Sequence, residues 1–196
     1  MSRLFSHPRK AAALITGALL SACTTTTTVM ISPPDQAPIC QPQSGLKTAV
    51  LWRTNWRPNQ KDIPEREAAA SEGIVDFFAD SRCFLSTSVA RARTDRAATE
   101  VPYGSDLLLV LTVRELGPTV KLLSSPALVE GYTEVVVDVA RYLPGRIESD
   151  RQFSIHWRNG GPRVVKGVQS LPADMTAALK AGLQEKQDHS ATTKTK

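Results

Sequence analysis

Two alternating stretches constrain this chain most: residues 131–143 (GYTEVVVDVARYL) and 150–158 (DRQFSIHWR), separated by a turn-rich Pro144-Gly145. Successive side chains on a strand point to opposite faces, so alternating apolar and polar residues specify a half-buried strand. If the two form a hairpin centred near Arg146, Val135 faces Trp157, Val137 faces Ile155 and Val139 faces Phe153. All three pairs are apolar. The opposite face then sets Glu134 beside Arg158 and Asp138 beside Ser154. A slip of one residue would turn the apolar set outward, so both faces specify the register.

The rest of the chain supplies what such a hairpin needs to pack against. Residues 47–53 (KTAVLWR) read as an opening strand, residues 83–91 as a second, and 105–115 (SDLLLVLTVRE) as a third whose continuous apolar run suggests a central position. Asp62-Ile63-Pro64-Glu65 offers a helix start, after which Ala70, Ile74, Phe77 and Phe78 recur at helical spacing. Glu72, Asp76 and Asp80 line the other side of that helix as a solvated face. Ser170 and Pro172 introduce a closing helix with Met175, Ala178, Leu179 and Leu183 on one stripe. The order predicts an α/β two-layer sandwich, a mixed or mostly antiparallel sheet of about 4–5 strands with two helices on one face and the other face open or covered by a neighbour.

The N-terminal region reads differently. Arg3, Arg9 and Lys10 precede an uncharged run, residues 11–20 (AAALITGALL), half the length a membrane-spanning helix needs. It ends in Leu20-Ser21-Ala22-Cys23, which resembles the lipobox of bacterial lipoprotein leaders: an aliphatic residue, two small residues, then the cysteine whose sulfur takes a diacylglyceryl group. That resemblance implies a signal peptide over 1–22, acylation at Cys23 and, with Thr24 rather than Asp following, an outer-membrane, periplasm-facing location. Two or three acyl chains hold a protein on a membrane essentially permanently. Residues 23–46, with five consecutive threonines and Pro33, Pro34, Pro38 and Pro42, read as a lipidated cysteine and an extended tether reaching up to roughly 75 Å from Cys23 to Lys47. Residues 47–186 are then the periplasmic domain, and 187–196 a disordered polar tail.

With Cys23 committed to lipid, Cys40 and Cys83 remain as an even pair in a compartment where disulfides persist. A bridge between them is expected, two separate thiols being the alternative. The chain carries 24 basic and 19 acidic residues, three of the basic ones in the leader, a balance that argues against nucleic acid as a partner.

Residues capable of chemistry are sparse. His156 is the one histidine between leader and tail, and the alternation places it on the wet face of the hairpin. No His or Cys cluster has metal-ligand spacing, and no phosphate-cradling glycine loop or G-x-S-x-G appears, so no catalytic residue, metal or cofactor is assigned. Trp56, Arg91, Arg93 and Arg158 are the candidate partner contacts, the arginines for an anionic surface and Trp56 as an interfacial anchor.

The order of elements resembles a family of periplasmic domains found in the TolB amino-terminal region, the curli-secretion lipoprotein and the penicillin-binding-protein activator lipoproteins. Ala49-Val50-Leu51, Phe77-Phe78-Ala79, the strand 106–113 and the hairpin 134–157 carry that likeness. Auxiliary subunits of lipid-transporting ABC systems show a comparable order. Both resemblances imply function through contacts rather than catalysis: a non-enzymatic binding or assembly component of an envelope protein complex, partnered by an envelope protein or by itself. The alternatives are a lipid- or glycan-binding auxiliary lipoprotein of a transport system, and an envelope hydrolase using His156.

Overall fold

The computed structural model describes residues 25–40, 45–92, 101–122, 129–162, 164 and 166–184. The leader, Cys23, Arg93 and the tail 187–196 lie outside the described residues. The elements in chain order are β1 (Thr26–Ser32), β2 (Lys47–Thr54), α1 (Ile63–Asp80), β3 (Ser86–Arg91), β4 (Leu107–Leu122), β5 (Val129–Tyr142), β6 (Arg151–Pro162), a short 3-10 turn (Val168–Ser170) and α2 (Leu171–Leu183). The six strands form one sheet in the order β1-β6-β5-β4-β2-β3. It is mixed: β2 runs parallel to both β3 and β4, and every other pairing is antiparallel. Both helices lie on one face, giving the α/β two-layer sandwich that the order of elements predicts.

The β5–β6 hairpin takes the predicted register, with Val135 opposite Trp157, Val137 opposite Ile155, Val139 opposite Phe153, Glu134 opposite Arg158 and Asp138 opposite Ser154. The apolar members of this pairing are buried under the helices together with Val50, Leu109, Leu111, Val113 and Leu116. α1 presents Ala70, Ile74, Phe77 and Phe78 to that core and leaves Glu72, Asp76 and Asp80 in solvent. α2 buries Met175, Ala178, Leu179 and Leu183. The helices cross closely at Gly73, where a Cβ would fall 2.4 Å from the Pro172 carbonyl oxygen and 2.7 Å from Met175 Cβ. Any larger residue there would force the helices apart.

Two expectations are corrected. The sheet has six strands rather than four or five, because Thr26–Ser32, read as tether, pairs antiparallel with β6 as the edge strand β1. Its threonines, valine and isoleucine favour extended backbone, and burying Ile31 with Val29 packed beside it suffices to hold an edge. The third strand and the first strand of the hairpin also run on beyond the predicted 105–115 and 131–143: β4 and β5 continue pairing as far as Leu122 opposite Val129. The register shifts between Val113 and Glu115, a bulge that sets Arg114 and Glu115 against Val136.

Cys40 and Cys83 are joined as a disulfide with their Cα atoms 4.7 Å apart. Beside it, the Cys40 amide donates to the Leu183 carbonyl at 2.9 Å, so the segment after β1 is fastened to the end of α2.

Candidate functional site

Two surfaces gather the polar side chains. The first is the corner where β2 ends, α1 begins and β3 ends. Glu67, in the first turns of α1, accepts from Thr54 Oγ1 at 3.0 Å and pairs with Arg91 Nη2 at 2.7 Å. Arg91 also lies 5.3 Å above the Trp52 ring, a cation–π contact. Partial burial alone would raise the Glu67 pKa. The hydrogen bonds from Arg91 and Thr54, the Arg91 charge and the Trp56 indole outweigh it and hold the carboxyl below its ordinary value. Trp52, Glu67, Ser71, Val89 and Arg91 line a cleft of about 450 Å³ here.

Trp56 and Arg91 thus meet around one carboxylate, but neither is a free contact residue. Trp56 packs half-buried against the main core with its Nε1 enclosed and making no hydrogen bond of ordinary geometry. Arg91 is committed to Glu67 and Trp52. Beside this corner sits a buried ionic cluster with no local signature in the sequence. Glu115 pairs with Arg57 and accepts from Gln60 Nε2 and Arg66 Nη1, each at 3.2 Å. Arg66 also donates through Nε to the Lys61 carbonyl at 2.8 Å and through Nη1 to the Leu116 carbonyl. Gly117 makes room for it, since a Cβ there would lie 1.5 Å from Arg66 Nη1.

The second surface is the sheet face away from the helices. One end of it is apolar: Ala49, Leu108, Val110 and Ala140 are buried, with Leu51, Val101 and Tyr142 packed around them. The rest is a lattice of paired polar groups. Arg53 Nε donates to Thr112 Oγ1 at 3.1 Å, Arg114 Nε meets Asp138 at 3.0 Å, and Ser154 Oγ donates to Asp138 at 2.5 Å. His156 Nε2 donates to Glu134 Oε1 at 2.6 Å, on the wet face as its place in the alternation requires. Arg158 stacks 3.2 Å over the centre of the Tyr132 ring, and Met30 projects from β1, 61% exposed. In the strand order, β5, β4 and β2 lie between Arg158 on β6 and Arg91 on β3, so the sequence-derived contacts fall on two surfaces and not one.

Among the described residues no group of three or more His, Cys, Asp or Glu is placed to hold a metal ion, and no helix is long and apolar enough to cross a membrane.

No family model and no curated protein matches the chain. Among solved structures it is similar to the PelC dodecamer from Paraburkholderia phytofirmans, at 14% identity and a TM-score of 0.43 over 82% of this chain and 99% of that one. A putative neuraminyllactose-binding hemagglutinin homolog from Helicobacter pylori matches at 10% identity and a TM-score of 0.40, over 73% of this chain and 84% of that one. A minor lipoprotein from Acinetobacter baumannii matches at 13% identity and 0.34, over 73% and 92%.

Proposed function

We propose that this chain is a lipid-anchored, non-enzymatic component of a bacterial cell envelope, acylated at Cys23, facing the periplasm from the outer membrane and docking an envelope protein through its helix-free sheet face. The leader, with its basic, apolar and small-Cys parts in order, supports the anchor. The observation that carries the docking role is the asymmetry of the sandwich: helices cover one sheet face, while the other, beside an apolar end already packed beneath Val101 and Tyr142, presents a lattice of half-buried paired polar groups and the exposed Met30. Such a face suits a protein partner, since polar groups already satisfied by one another can be covered around an exposed apolar side chain such as Met30 without leaving a charge unpaired. The corner cleft suits one less well, its cation being already engaged by Glu67 and Trp52.

Three measurements test this. Intact-mass analysis of membrane-purified protein is expected to show a diacylglyceryl-modified Cys23, and Cys23→Ser to release the protein into the soluble fraction. Photo-crosslinkers at Met30 and Val136, in cells, are expected to capture one specific envelope protein that a crosslinker at Glu72 on the helix face does not. Equal background capture from both faces would overturn the docking role.

A further inference from the structure

Very little chain separates the anchor from the sheet. β1 starts at Thr26, three residues after Cys23, which allows at most about 11 Å at full extension. Resting on the acylation proposed above, we infer that the domain does not hang on a leash: the end of the sheet at which β1 begins is a membrane-contact surface, seated on phospholipid headgroups.

The register identifies what lies at that end. Thr26 is level with Gly160 on β6, Tyr132 on β5 and Thr119 on β4. β4 and β5 run on past this line for three more pairs, to Leu122 opposite Val129, a projection of about 10 Å at the usual strand rise. β4 and β5 therefore reach beyond the level of Thr26 by about the length that three extended residues span. β2 stops well behind, at Thr54, level with Val113. The turn between β5 and β6, which holds Arg146, is at the opposite end of the sheet, as is the start of β2.

Just inside the line, Arg158 is level with Thr28 and lies over the Tyr132 ring. Stacking on a ring face uses none of the guanidinium's N–H donors, which leaves them for phosphate oxygens. A planar cation on an aromatic surface, two residues behind the level at which β1 begins and four from the end of β6, is within side-chain reach of the headgroups of a bilayer containing anionic lipid if the β1–β6 margin is tilted toward it. The ligand chemistry is thus the phosphodiester of a membrane lipid, met by a rigid sheet end held in place by the acyl chains.

Full-length lipidated protein reconstituted into vesicles of phosphatidylethanolamine and phosphatidylglycerol tests this. Leu122→Cys, Thr119→Cys and Arg146→Cys are each labelled with a fluorophore, and quenching by headgroup-spin-labelled lipid is compared. Acylation of Cys23 and the Cys40–Cys83 bridge leave the introduced thiol as the reactive one. Labels at 122 and 119 are expected to be quenched several-fold more than the label at 146. Arg158→Glu is expected to shrink that contrast in vesicles containing phosphatidylglycerol. Equal quenching at the two ends, as from a mobile tether or an association between copies, or stronger quenching at 146, overturns the inference. An unmodified Cys23 in the same preparation overturns the anchor itself, so mass analysis separates the two failures.

Discussion

Glu115 is the residue on which most internal donors converge: it is 7% exposed and receives Arg66, Arg57 and Gln60. Removing one partner of a buried pair leaves an uncompensated charge, which costs about 3–5 kcal/mol. Glu115→Ala is therefore expected to lower the unfolding free energy by about 3 kcal/mol in a urea titration. Gly117→Ala, whose methyl group meets only the far end of the Arg66 side chain, is expected to cost less, about 1 kcal/mol, because the guanidinium can shift aside at the expense of its contacts. Changes within about 0.5 kcal/mol for both would show the cluster to be idle. None of this was legible in the sequence, since an arginine and a glutamate 49 residues apart carry no mutual signal and each reads as a surface residue. Glu67 gives a prediction in pH. Its pKa is lowered on folding from an ordinary value of 4.5, so its contribution is present above that value and is lost as pH falls through the lowered one. The thermal midpoint of the wild type is expected to fall more steeply in that acidic window than that of Glu67→Gln. The increment is small because the Arg91 partner is half exposed.

Among the elements, those with two specified faces were the ones the sequence declared. The β5–β6 register could be read to the residue because a slip would expose Val135, Val137 and Val139 and bury Glu134 and Asp138. The stripes of α1 and α2 were equally plain. β1 was not, because an edge strand needs only one inward face, and here Val29 and Ile31 supply it within a run that is otherwise threonine, methionine and serine. Composition alone assigns such a run to linker, and only the available edge of β6 makes it a strand. The disulfide belongs to this scale too. It ties the segment after β1 to the loop after α1 across a sequence separation of 43, for which the chain-entropy estimate is on the order of 4 kcal/mol as an upper figure. Reduction, or a Cys40→Ser/Cys83→Ser double variant, is expected to lower the unfolding free energy by about 2–4 kcal/mol, read by denaturant midpoint with and without reductant.

For the whole molecule, the fold class was legible and the distribution of its surfaces was not. The sequence announced two helices and a sheet, and hence a face without helices. That Trp56 and Arg91 would turn inward around Glu67 depended on how β2, β3 and α1 meet at one corner, a three-body arrangement no single segment encodes. The pairing of β1 with β6 has a further consequence for how the molecule comes into being. Of all the strands, β1 is made first and its sheet neighbour last, with Thr28 awaiting Arg158. Contacts so distant along a chain form late and slowly. A polypeptide cut off anywhere before residue 151 would leave both β1 and the outer margin of β5 without a mate. Incomplete copies would thus carry two unpaired sheet edges open to other chains, and completion of the last strand is what closes them.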